Sequence, residues 1–302
     1  MTRSRTLFRT ATDAGTAVGP AARPGLPAAT DPAPPRPTRI GVEQVGGRAR
    51  FSVLDQGLYL APRPVSGGSH PLHLRVALIG IHMMLLGGDE VRIQLSVGPG
   101  VTLEVVEPAG LVAYDADLVP SRWVLEAELG EGSALIWDGA AFVAAAGSNV
   151  QRETRLRLAA GARVLVRETL VLGRSGEAGG RLRSITRVTG EDGDLLYEDL
   201  DLSGPRERAV GILGGSRIMA SVTAVGWRPE TLPAPSGPGM PQAQASQTQV
   251  SGAAPAGQPS RMRRFDLASP GAVARSLDSQ AHTAERGTGA AFTRWRAELT
   301  GC

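Results

Sequence analysis

The feature that most restricts the fold of this chain is a strict two-residue alternation that recurs with glycine between its halves. In VRIQLSV, Val91, Ile93, Leu95 and Val97 alternate with Arg92, Gln94 and Ser96; after Gly98-Pro99-Gly100 the pattern resumes with Val101, Leu103 and Val105. It returns at Trp123, Leu125, Ala127 and Leu129, then Gly130-Glu131-Gly132, then Leu135 and Trp137. A third copy runs through Leu156 and Leu158, Gly161, then Ala162, Val164 and Val166. Period two turns alternate side chains to one face of a strand, and the glycines mark reversals. Gly100, Gly132 and Gly161 recur at roughly 30 residues, a spacing found in repeat architectures. Stacked β-repeats suit this better than a doubly wound α/β fold, because no long helical period separates the strands. An antiparallel sandwich would alternate in the same way, so the period alone leaves both all-β forms open. Helical signals come only at the end: Ser269-Pro270 opens 269–284, and Phe292, Trp295 and Leu299 share a face within 290–299. They predict two short C-terminal helices.

Four segments follow. Residues 1–38, rich in Ala, Pro, Thr and Arg, have no periodic apolar face and are expected to be a disordered tail. Residues 39–228 form the β domain, 229–262 a disordered low-complexity insertion, and 263–302 a short helical segment packing on the β domain. The tail lacks the apolar stretch of a secretory signal, and the run from Val76 to Leu86 is interrupted by His82 and falls short of the roughly 20 residues that span a bilayer. A soluble, cytoplasmic protein is expected. The net charge of +3 is misleading about partners, since residues 1–50 alone hold eight Arg against Asp13, Asp31 and Glu43. A net positive charge that belongs mostly to a tail, with few aromatics beside it, argues against nucleic-acid binding.

Composition also closes reaction classes. Every base is Arg, so there is no Lys for a P-loop, a Schiff base or a protein-kinase strand. The one cysteine, Cys302, excludes a disulfide framework and a thiolate zinc cluster. Four histidines (His70, His73, His82 and His282) contain no HExxH.

Two stretches together carry a family resemblance. LLGGDEVRIQLSVGPGVTLEVVEPAGLVAYDA, residues 85–116, resembles the defining segment of UreD-type (UreH) urease accessory proteins, with its GGD triplet leading into a glycine-turned β-arch. RLRLAAGARVLVRETLVLGRSGEAGGRLRS, residues 155–184, is similar to the family's second signature, and LLYEDLDL and AVGILGGSRIMASVTAVG follow in the family's order. The chain departs from the pattern at AGLVAY, where Val112 stands in the region before Tyr114 that often holds a Lys in the family. The resemblance is that of a divergent, actinobacterial-like member. It implies a β-helix-like stack with two C-terminal helices and no catalysis. The implied role is a scaffold that binds apo-urease with UreF and the GTPase UreG and assists nickel delivery to the urease active site.

The residues permit that role in one form only. Nickel favours imidazole and thiolate but accepts carboxylate and water. A chain this poor in Cys and His builds no tight cage, so any Ni²⁺ would be transient, passing weakly binding oxygens. The expected passage residues are Asp89, after Gly87-Gly88, and Glu168, which alternation places on one face with Ala162, Val164 and Val166. An unpaired carboxylate in such a face costs several kcal/mol, so Glu168 needs water, a metal or a cation. Arg174 and Arg183 are the candidate partners if it is an ion pair, and a turn role is the alternative for Asp89. His70 and His73, three apart in GGSHPLHL, are lesser metal candidates. His82 reads as a core or interface histidine, Met83 and Met84 as packing residues, Arg174 as a turn anchor or partner contact, and Cys302 as a terminal thiol. Two rivals stand beside the scaffold. One is a β-solenoid polysaccharide-active enzyme drawing carboxylates from Asp115, Asp117 and Asp138, which the scarcity of aromatic platforms disfavours. The other is a structural repeat protein without a metal role.

Overall fold

The computed structural model describes residues 35–116, 119–204, 212–231 and 262–301. The tail through residue 34, the low-complexity stretch over 232–261, Asp117 and Cys302 lie outside the described residues. Two hairpins come first: β1 (Thr38–Val45) with β2 (Arg48–Asp55), then β3 (Leu60–Val65) with β4 (His73–Gly80). Coils follow in which β5 (Glu90–Val97) turns into β6 (Thr102–Val106). After the short β7 (Leu111–Ala113), β8 (Ser121–Leu129) turns into β9 (Ala134–Ala144), and β10 (Asn149–Leu158) into β11 (Arg163–Leu172). The chain continues through β12 (Arg181–Gly190), β13 (Gly193–Asp201), β14 (Ile218–Val225), β15 (Arg263–Asp266) and β16 (Gly271–Asp278) to the helix α1 (Ala281–Thr300).

Each coil gives its first strand to one sheet and its second to the other. In the first sheet β1, β5, β8, β10 and β12 therefore run parallel, and in the second β4, β6, β9 and β11 do. Antiparallel strands finish the edges, which makes an all-β, β-solenoid-like stack. The corner glycines make it possible. Gly100, Gly132 and Gly161 have φ of 68°, 61° and 68°, a left-handed conformation that costs other residues about 1–2 kcal/mol. The ladder runs on through these corners: Gly100 N donates to Glu131 O and Gly132 N to Ala160 O, both at 2.9 Å.

Alternation then fills the space between the sheets. Val91, Ile93, Leu95, Trp123, Leu125, Leu129, Val150 and Leu156 meet Leu103, Val105, Leu135, Trp137, Val164 and Leu170 in one apolar core. The interior is packed rather than hollow along its length. The second sheet is also covered outside, where Ala291, Phe292, Trp295 and Leu299 of α1 lie on Ile136, Leu165, Val222, Ala224 and Ala274. Burial on both faces explains why β9 and β11 read as nearly continuous apolar runs.

The two-helix expectation is corrected. Residues 271–278 form strand β16, antiparallel to β14 from Gly271↔Val225 to Asp278↔Ile218, and a single helix holds the C-terminal signal. Ser269-Pro270 is a local helix-start pair, but an unpaired sheet edge offers a full backbone ladder and buries Ala272 and Ala274, and tertiary pairing wins. Gly301, with φ 69°, ends the helix.

Three substitutions test this account by urea denaturation. Trp295→Ala, which empties a fully buried site, is expected to lower unfolding free energy by about 3–5 kcal/mol. Gly132→Ala meets no neighbour within 4 Å, so only backbone strain remains, about 1–2 kcal/mol. Gly289→Ala, equally open but inside α1, should stabilise by about 1 kcal/mol.

Candidate functional site

One polar break interrupts the apolar interior. On β10 the inward row of Val150, Thr154 and Leu156 includes Arg152, which is 8% exposed. On the opposing sheet Glu168 projects from β11 beside a β-bulge: pairing with β9 slips between Arg167↔Asp138 and Thr169↔Ala141. Such bulges re-aim a side chain. Glu168 and Arg152 form an ion pair across the sandwich. The guanidinium carbon also stands 5.3 Å from the centre of the Phe142 ring and 6.0 Å from that of Trp123. Glu107, just past β6, completes the group. Its Oε2 accepts the Ala140 N–H at 3.0 Å, and its own amide donates to Asp138 O at 3.0 Å.

These residues line a cavity of about 10 Å³. Glu107, Leu111 and Trp123 also belong to the wall of a surface groove of about 330 Å³, bordered by Leu60, Met83 and Tyr114. Glu107 thus stands between the groove and the Arg152–Glu168 pair. Burial pushes its carboxyl up to about 7, against the nearby charge of Arg152. Burial likewise lowers Arg152 to about 10, opposed by the charge of Glu107. The Trp123 Nε1 and Arg152 Nε find no hydrogen-bond partner among the described residues, so donors remain unsatisfied at the cavity wall.

A second charged cluster pins α1. Glu104 on β6 is almost fully buried, with Oε2 3.0 Å from His73 Nε2 and 3.3 Å from Arg75 Nε. Arg296 of α1 donates through Nε and Nη2 at 3.0 and 2.8 Å. Burial alone would raise Glu104, but hydrogen bonds from His73 and Arg296 and the charges of Arg296 and Arg75 hold it down to about 2. Beside it Asp138 pairs with Arg167, whose guanidinium carbon lies 4.6 Å from the Phe292 ring centre.

The expected site residues separate. Glu168 faces inward, with Arg152 as its partner rather than Arg174 or Arg183, which bind Glu177 and Asp199. Asp89 closes the GGD turn: its Oδ2 accepts Leu86 N at 2.9 Å and its Oδ1 accepts the Tyr59 hydroxyl at 2.8 Å. His73 has both ring nitrogens engaged, Nδ1 accepting Ser69 N at 3.3 Å and Nε2 on Glu104. His70 is exposed and caps Leu72 N at 3.2 Å, so the two histidines share no partner. His82 is exposed against Leu58 O, Met84 is buried, and Met83 is 69% exposed. Among the described residues no group of three or more His, Cys, Asp or Glu is gathered to hold a metal. Sequence reasoning missed Arg152, Glu107 and Glu104. The inward phase of ETRLRL carried back to Arg152 was the available signal for the first, and an acid ending the apolar strand LEVVEP for the second.

The two acids have opposite pH signatures. Glu104, well below its ordinary 4.5, contributes stability that is complete above that pH and is lost as pH falls toward 2. Glu104→Gln should cost about 1–3 kcal/mol at pH 7, by taking the charged acceptor from buried His73 and from half-buried Arg75 and Arg296. Glu107, raised from 4.5 to about 7, keeps its proton in the fold while the unfolded chain releases it, so stability falls as pH rises across that window. Glu107→Gln should flatten the decline, worth at most about 3 kcal/mol less what solvent screens. Urea denaturation from pH 2 to 8 reads both.

Residues 84–302 match the family pattern of the UreD urease accessory protein. The chain is similar to urease accessory protein UreD 1 of Streptomyces griseus, 43% identical over 277 residues that cover 91% of this chain and 97% of that protein. Urease accessory protein UreD 3 of the same organism is 35% identical over 54% of this chain and 68% of its own length. UreD of Frankia alni is 36% identical over 46% of this chain and 53% of its own length. With the glycine-cornered stack, these matches lead to one conclusion: the chain belongs to the UreD family of urease accessory proteins.

Proposed function

We propose that this protein is a cytoplasmic maturation scaffold that binds apo-urease together with UreF and the GTPase UreG and hands nickel onward through its interior. The observation that carries the reading is the Glu107–Arg152–Glu168 break in the core, reached from the groove beside Trp123 and Tyr114. A solid apolar interior has no use for three ionisable groups, and each is costly there unless it serves folding or transport. Carboxylate oxygens suit transport of a divalent ion, because they hold nickel weakly enough to release it. In this reading Glu107 receives the ion from the groove and Glu168 holds it within, while Asp89 keeps the rim in shape through Tyr59. No helix among the described residues is long and apolar enough to cross a membrane, which agrees with a cytoplasmic place of work.

Deleting the chain should leave urease synthesised but nickel-poor and inactive; full urease activity in the deletion strain overturns the reading. Glu168→Ala should lower urease activation several-fold while pull-down of the accessory complex is unchanged. Loss of folding or of partner binding in that variant would make Glu168 a purely structural ion-pair residue.

A further inference from the structure

The passage as it stands is closed, and what closes it is a cation. Arg152 lies in the cavity wall with Glu168 as its ion-pair partner, Glu107 within electrostatic reach, and the Phe142 and Trp123 rings around its guanidinium. Two carboxylates and two aromatic faces make a box for a positive charge. The remaining space, about 10 Å³, is comparable to a single water, so a hydrated metal ion and the guanidinium do not fit there together. The two cations also repel each other, strongly so in a medium from which water is largely excluded.

The pair has signs of being replaceable rather than locked. Arg152 Nε makes no hydrogen bond among the described residues, although the guanidinium has five donors to satisfy. Elsewhere in the same fold, arginine–carboxylate pairs are made with two-pronged geometry, as Arg296 on Glu104 and Arg275 on Glu198. Those pairs fasten elements together. The Arg152 contact spends fewer of its donors on protein acceptors, in a place where an unsatisfied donor is expensive.

We propose that Arg152 is a gate: its guanidinium fills the carboxylate-lined cavity as a resident counter-ion, and a divalent cation enters only by displacing it from Glu168. The inference rests on the transport reading above and adds to it the group that holds the path shut. The exchange is a substitution of one cation for another: the Arg152–Glu168 ion pair opens as oxygen–metal contacts form at Glu168, and Glu107, which holds a proton in the fold, releases it to water when it joins the ion. Arg152 acts on the cargo through the carboxylates, as a positioning residue, and its return after passage would push the ion out toward the next acceptor.

Nickel titration of the purified full chain tests this with three variants. Arg152→Met keeps most of the side-chain length and removes the charge; it should bind Ni²⁺ about 10–100-fold more tightly than the unaltered protein, the range over which neighbouring groups tune metal sites. Arg152→Lys keeps the charge and should remain as weak as the unaltered protein. Glu168→Gln added to Arg152→Met should abolish the gain. Equal affinity in the Met and Lys variants, or a gain that survives Glu168→Gln, overturns the gate. If Arg152→Met fails to fold, the unaltered chain still decides: millimolar Ni²⁺ should broaden the Trp123 indole N–H resonance by paramagnetic relaxation, and Glu168→Gln should remove that broadening. A Trp123 signal untouched by nickel overturns the proposal. These binding results are independent of urease activation in cells. A deletion strain with nickel-poor urease and an Arg152→Met chain with unchanged affinity would together keep the transport reading and discard the gate.

Discussion

The architecture depends on backbone hydrogen bonding that does not stop at the corners. In most β-structures a turn ends the ladder and its amides face water. Here the Gly100 and Gly132 amides donate to the corner of the next coil, so the pairing of β5 with β8 and of β8 with β10 continues through the turn into β6, β9 and β11. A left-handed glycine at each corner is the condition for that register. Once the corners stack, the strands must run parallel, and the alternating side chains of successive coils fall into rows facing the opposite sheet.

That constraint decides what the two sheets can carry. The middle of the second sheet is closed inside by the first sheet and outside by α1. An acid buried there must find partners within the protein, as Glu104 finds His73, Arg75 and Arg296. The outer face of the first sheet bears the opposite pattern. Its rows of Arg and Glu, such as Arg155 with Glu126 and Arg122 with Glu90, form exposed pairs of small individual value. Stability resides in the apolar interior and in the α1 seam, while the charged lattice keeps a broad sheet face wet and unattractive to other strand edges.

Against that background the two buried acids on neighbouring positions of one strand and its exit are instructive. Glu104 and Glu107 lie three residues apart, yet they are driven in opposite directions. Glu104 points toward α1 among three donors, the imidazole of His73 and the guanidinium groups of Arg75 and Arg296. Glu107 turns toward the core, where its charged neighbour Arg152 is shared with Glu168. The first is an anchor whose charge is always present. The second is left with incomplete compensation at the mouth of the interior, and burial outweighs the charge of Arg152.

Much of this was legible in the chain itself. Alternation and glycine spacing located the strands and corners, and the phase of VLVRETLVL correctly turned Glu168 to the inside, because the direction of a side chain on a strand is a local property of the pleat. The family was legible too, from the GGD segment and the Gly-Ala turn in order. What residues touch across layers was not. Glu168 meets Arg152 rather than Arg174 or Arg183 because β10 and β11 belong to opposing sheets, and the contact is set by coil height and sheet separation, quantities absent from any short window of sequence. The same holds for Ser269-Pro270, whose helix signal yielded to an open sheet edge made by β14, more than forty residues earlier in the chain. Local sterics chose the faces, and only the closing of one sheet over the other chose the partners.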